Sequence, residues 1–168
     1  MTGIDARVPM VRLDRLQSAI GSLVVTGASS VAWESVTGLT GAASDESSAE
    51  GSHSGSHVGA VVPTSGNRPL VGFDEGAVLV ALRHVGELRR GLVVGRGAGV
   101  LGVRLLDGVT LTVSAWGEGD VPALSLLVVD GLLELRAERV AAATTDPEVH
   151  REFGFAMTPQ FDFPERRP

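Results

Sequence analysis

The stretch Val100–Ala115, VLGVRLLDGVTLTVSA, decides how this chain is read. Two apolar-rich runs, Val100 to Leu106 and Val109 to Ala115, flank Asp107-Gly108. Asp-Gly between such runs is a hairpin signal, because the tight turns that match strand twist need positive φ and glycine adopts it without steric cost. The pattern repeats downstream. Gly117-Glu118-Gly119-Asp120 marks a turn, Ala123 to Val129 a strand, and Asp130-Gly131 a second hairpin leading into Leu132 to Val140. In that last run Leu133, Leu135 and Ala137 alternate with Glu134, Arg136 and Glu138, the period of a half-buried strand. Its Ala, Leu and Glu content also suits a helix. Upstream, Leu92 to Val94 reads as a short strand before a glycine-rich turn.

Working outward, Asp74 is placed to cap a helix whose inner face is Val78, Leu82, Val85 and Leu88, with Gly91 as its stop. Near the N-terminus, Leu13, Leu16, Ile20 and Leu23 recur at three- and four-residue steps, which predicts an amphipathic helix. The expected fold is α+β: one helix packed on an antiparallel β-meander, with a helical N-terminal segment and an extended C-terminal tail. The expected organisation is an N-terminal amphipathic helical segment over 1–43, a disordered Ser/Gly/His linker over 44–68, a folded core over 69–145 and an aromatic tail over 146–168. The linker is drawn from composition. Ser44 to His57 holds one Ala and otherwise only polar residues and glycine, too little apolar area to offset the entropy of ordering it.

Of the 168 residues, 43% are apolar but only 4% aromatic, so the core is built from Val, Leu and Ala. The absence of cysteine excludes disulfides, thiolate metal sites and cysteine nucleophiles. All 14 basic side chains are Arg, and the net charge of −6 speaks against nucleic acid as a partner. No apolar run approaches the roughly 18 residues that span a bilayer. Asp5 and Asp14 interrupt the basic stretch that a signal peptide would need before Ile20–Val25, so a cytoplasmic location is expected.

Leu23-Val24-Val25-Thr26-Gly27-Ala28-Ser29-Ser30 resembles the cofactor loop of the short-chain dehydrogenases, where glycines let backbone amides reach the dinucleotide phosphate. Val31 and Trp33 stand where that family's later glycines belong, and the Tyr and Lys on which it relies are missing here. Small residues on a packed element are therefore the reading adopted. Gly97-Ala98-Gly99-Val100-Leu101-Gly102 fits Gly-x-Gly-x-x-Gly, but Asp107-Gly108 leaves no room for the helix a dinucleotide site requires, which makes this a glycine-rich β-turn. Arg96 and Arg104, with the amides around Gly97 and Gly99, form a possible anion site.

His53 and His57 are four apart in a stretch unsuited to helix, with no third ligand, so no metal is expected. His150 has only Glu148 and Glu152 as local acid–base partners. No Gly-x-Ser-x-Gly elbow is present. No catalytic residues and no cofactor are assigned, and the enzyme reading is disfavoured. The tail concentrates Phe153, Phe155, Phe161 and Phe163, with Pro159 and Pro164 discouraging helix; these four aromatics either pack on the chain's own core or are its partner-binding residues. The expected function is a non-catalytic binding or assembly module, a structural or adaptor subunit that binds a protein partner or itself. The alternative is a small ligand-binding or enzymatic domain holding a phosphate or carboxylate at the Gly95–Gly102 turn.

Overall fold

The computed structural model describes residues 2–44, 57–59, 70–97 and 99–155. In chain order the elements are β1 (Thr2–Ile4), β2 (Met10–Arg12), β3 (Ser22–Thr26), β4 (Ser30–Ser35), β5 (Thr40–Ser44), β6 (His57–Gly59), β7 (Val71–Asp74) and β8 (Ala77–Ala81). A 3-10 helix, Leu82–Glu87, precedes β9 (Leu88–Val94), β10 (Val100–Arg104), β11 (Thr110–Ser114), β12 (Asp120–Val121), β13 (Ala123–Val129), β14 (Leu132–Ala137), β15 (Val140–Ala141) and α1 (Asp146–Glu152).

Strands β1-β11-β10-β3-β8-β7 form a six-stranded sheet, and β2-β14-β13-β9-β4-β5-β6 a seven-stranded one. A short ribbon pairs β12 with β15. All described pairings are antiparallel except β1 with β11. The two large sheets share one apolar core. Leu23, Val25, Val78, Val80, Leu101 and Val113 come to it from the smaller sheet, and Val31, Trp33, Val93, Leu124, Leu126 and Leu135 from the larger. These residues alternate along their strands with outward-facing ones, as a sandwich requires. A second cluster lies on the opposite face of the larger sheet, where Ala32, Leu92, Val94 and Ala123 meet Val140, Val149 and Phe155.

Both Asp-Gly signals are hairpins: β10 pairs with β11 across Asp107-Gly108, and β13 with β14 across Asp130-Gly131. The α+β architecture is overturned; the protein is mostly β. The helix expected from Asp74 is instead the β7–β8 hairpin, with Asp74 opposite Ala77. Its two-residue turn puts Glu75 at φ 45° and Gly76 at φ 76°, the pair of positive values that closes a hairpin. Val78 and Val80 then point into the core while Leu79 points out, so the period is two. Helical spacing at 78, 82, 85 and 88 was coincidental: Leu82 and Val85 lie on the 3-10 helix and Leu88 begins β9.

The N-terminal helix is likewise replaced, by β2, a turn segment and β3. Leu13 and Leu23 are buried but Leu16 and Ile20 are exposed, so the expected stripe is not one face of anything. Asp14 accepts the Gln17 amide at 2.8 Å, a local turn, and β-branched Val24, Val25 and Thr26 favour the strand that follows. The extended tail also needs correcting, because Asp146–Glu152 is helical. Of the expected linker, Ser44 ends β5 and His57–Gly59 form β6; its other residues lie outside the described ones.

The register of β8 yields a direct test. Val80→Asp places an unpaired carboxylate in the shared core and is expected to cost more than about 3 kcal/mol. Leu79→Asp, on the outward position, is expected to stay within about 1 kcal/mol. Urea unfolding of the two variants separates strand from helix here, since a helix facing inward at 78, 82 and 85 would tolerate Asp at position 80.

Candidate functional site

Two chain crossings meet at one end of the sandwich. β3 leaves the smaller sheet through Gly27-Ala28-Ser29 and enters the larger as β4, while β9 makes the return journey through Gly95 and the turn to β10. The crossings are stitched together. The Ser29 amide donates to the Val94 carbonyl at 2.7 Å, and the Arg96 amide donates to Ser29 Oγ at 3.2 Å. Gly95 is required by this approach, since a Cβ there would lie 2.6 Å from Leu101 and 3.0 Å from the Gly27 carbonyl oxygen.

α1 docks onto this seam by its first turn. Asp146, 6% exposed, receives Nε of Arg96 on Oδ1. Its Oδ2 lies 3.1 Å from the hydroxyl of Ser29, which also lies 3.0 Å from the Val94 carbonyl. The remaining Arg96 nitrogens donate to the carbonyls of Ala142 and Thr144, so its guanidinium clamps the strand-to-helix connection as well as the helix. One turn later His150, 5% exposed, sets Nε2 3.3 Å from Oγ of the fully buried Ser30. Burial holds the imidazole below its ordinary pKa, with the nearby Asp146 charge opposing the shift.

The helix is closed at both ends by sequence-local devices. Thr145 and Glu148 form a capping box, in which the Glu148 carboxylate accepts the Thr145 amide at 3.1 Å. At the other end the Gly154 amide donates to the Arg151 carbonyl and the Phe155 amide to the His150 carbonyl, with Gly154 at φ 79°. This is the Schellman arrangement, and it aims Phe155 down onto the sheet. Arg90 of β9 then locks it: the guanidinium lies 4.2 Å from the Phe155 ring centroid, donates to the carbonyls of Phe153 and Gly154, and pairs with Glu34 of β4 at 2.6 Å.

A serine, a histidine and an aspartate thus converge, but their geometry does not make a hydrolytic centre. Ser30 and His150 are sealed beneath the helix, so no substrate reaches the hydroxyl, and Asp146 is spent on Arg96 and Ser29 rather than on the imidazole. What the cluster does chemically is fasten a short helix to a sheet.

The surface offers a different kind of feature at the turn that replaces the N-terminal helix. Leu16, Ile20 and Leu106 are exposed by 70%, 47% and 63%, and with buried Leu105 they line a cleft of about 310 Å³ rimmed by Asp14, Gln17 and Asp107. Gln17 Nε2 donates to Asp107 Oδ2 at 3.1 Å, joining the two loops that form its walls. Hydrogen bonds from Gln17 and from the Val109 amide hold the Asp107 carboxyl below the ordinary range, so the rim is anionic at neutral pH.

The residues singled out from sequence are dispersed. Arg96 lies in the clamp, Gly97 at φ 86° and Gly99 belong to the adjacent turn, and Arg104 is exposed at the end of β10. Phe155 is 2% exposed and Phe153 partly buried, both against this chain's own larger sheet. Phe161, Phe163 and His53 lie outside the described residues. Among the described residues no three His, Asp or Glu side chains gather as for a metal, and no helix is long and apolar enough to cross a membrane. The contacts of Ser29, Ser30, Arg90 and Asp146 could not be read from the sequence because their partners are 50 to 120 residues away. The helix stands where an extended tail was expected, and Thr145-x-x-Glu148 and Gly154 are the cap signals from which it could have been read. No protein-family model, curated protein or solved structure matches the chain.

Arg96→Ala strands the Asp146 carboxylate with one hydroxyl and is expected to cost about 1.5–3 kcal/mol. The loss should be local: hydrogen exchange would show residues 146–155 losing protection while β13 and β14 keep theirs. Gly154→Ala imposes the left-handed backbone on a residue with Cβ and is expected to loosen the same segment by about 1–2 kcal/mol. Uniform loss of protection in either variant would contradict the latch.

Proposed function

We propose that this protein is a non-catalytic binding module, a structural or adaptor subunit that docks a protein partner in the cleft between the Asp14–Ile20 and Leu105–Asp107 loops. The observation that carries this reading is the exposure of Leu16, Ile20 and Leu106 together at one concave site. Isolated apolar side chains on a surface are ordinary, but several lining one cleft with a polar rim are the usual mark of an interaction site. The rim narrows the partner's chemistry. Asp14 and Asp107 favour an apolar segment flanked by basic residues, and this chain's own net charge of −6 disfavours a second copy. The same charge argues against nucleic acid.

The sealing of Ser30 and His150 under α1 supports a scaffolding rather than a hydrolytic role. Phe161 and Phe163 supply a second contact for the partner in this reading, being large aromatics in an aromatic-poor chain. A cysteine-free chain needs no oxidising compartment, which fits action in the cytoplasm.

The test is a photo-crosslinking amino acid placed at position 106, compared with one at the exposed position 79 on the smaller sheet, in the cells that make the protein. A discrete adduct is expected from position 106 alone, and it should vanish when Leu16→Asp is added. Its mass and sequence distinguish a basic foreign partner from a second copy. The same adducts from both positions, or none from 106, would remove the cleft as the docking site.

A further inference from the structure

We propose that His150 is a proton-operated latch: its protonation in mildly acidic conditions releases α1 from the larger sheet and uncovers the apolar strip formed by Ala32, Leu92, Val94 and Ala123. The basis is how the helix is held. α1 has seven residues, far too few to persist in water by itself, so its order depends on what it is docked to. His150 is buried on this helix: its ring lies 3.3 Å from Ser30 of β4, and its carbonyl accepts the amide of Phe155, which packs with Val149 on the sheet.

The charged groups around it already have partners. On α1 itself there is Asp146, neutralised by Arg96 from the β9–β10 crossing. From β9 there is Arg90, neutralised by Glu34 of β4. Beyond β14, Glu138 is held by the hydroxyl of Ser125 of β13. A proton on His150 therefore adds a positive charge to a buried face whose nearest anion is committed elsewhere. Ser30 can turn to accept from an imidazolium, but one hydroxyl does not replace the lost hydration.

The pH direction follows. Because burial holds the folded imidazole below its ordinary value of 6.5, the released state binds the proton more tightly than the docked one. Docking is then fully stable above about pH 6.5 and weakens as pH falls through the interval down to the folded value. The carboxyls with lowered pKa, Asp5, Asp107, Glu134 and Glu148, lose their contributions only at lower pH, below their ordinary values of 3.8 and 4.5. Among these shifted groups, His150 alone changes charge before the carboxyls do as the pH falls below 6.5.

The experiment is hydrogen exchange on the full chain at pH 7.5 and 5.5, expressed as protection factors, for the native protein and for His150→Gln, which keeps a polar group toward Ser30 but cannot take a proton in this range. On acidification the native protein should lose protection over residues 146–155, with about tenfold as the ceiling at pH 5.5, one pH unit below the ordinary histidine value. β13 and β14 should be unchanged, and His150→Gln should show no such step. An NMR titration of the His150 ring keeps the test sharp if the variant docks poorly at all pH values, because the ring must titrate at the same midpoint as helix release. Equal protection at both pH values, an acid step that survives in His150→Gln, or a ring midpoint apart from the release midpoint would each overturn the latch.

Discussion

The larger sheet has two apolar faces, and everything else in the molecule follows from the need to cover both. Leu92, Val93 and Val94 are all fully buried although successive residues of a strand point to opposite sides. Val93 faces the smaller sheet and its neighbours face α1. Antiparallel sheets commonly leave one face to water, and this one does not at its centre. The smaller sheet supplies one cover by sandwich packing, and a seven-residue helix supplies the other.

A cover so small is held by means other than area. Val149 and Phe155 contribute apolar burial, on the order of 1.5–3 kcal/mol each, and ordering the backbone of their segment costs about as much again. The polar contacts of Asp146 and His150 with the crossings, and of Arg90 with the helix end, are what tip the balance and fix the position. They are also what makes the attachment conditional. Apolar burial is indifferent to protons, whereas a neutral histidine on the docked face is not. The sandwich and the latch are thus held by different physics, and the sandwich is expected to outlast the latch as conditions change.

Strands β10, β11, β13 and β14 were legible in the sequence because short-range chemistry fixed them: Asp107-Gly108 and Asp130-Gly131 each dictate a turn, and alternation at Leu133, Leu135 and Ala137 dictates a face. The segment from Asp74 to Gly91 was not legible in the same way. Apolar residues at 78, 82, 85 and 88 satisfy helical spacing, and Val78 with Val80 satisfies strand spacing. The tie was broken by Glu75 accepting positive φ beside Gly76, which sequence pattern alone does not announce for a glutamate. At Leu13–Leu23 the spacing was likewise satisfied by residues that end up half inside and half in the cleft. The helix of 146–152, by contrast, carried clear cap signals that the prolines beyond it overshadowed.

The sequence by itself determined a cysteine-free, acidic chain with an aliphatic core and where its Asp-Gly hairpins turn, since each depends on composition or on partners a few positions away. Only the tertiary structure decided that β3 and β9 cross between two sheets side by side, that Arg96 meets Asp146, that Ser30 meets His150, and that Leu16 and Leu106 share a cleft. Those pairs are separated by 50, 120 and 90 residues of chain or thereabouts. Their meeting is set by strand order and register, which no local pattern encodes because the free energy that selects them is the burial of both faces of one sheet at once.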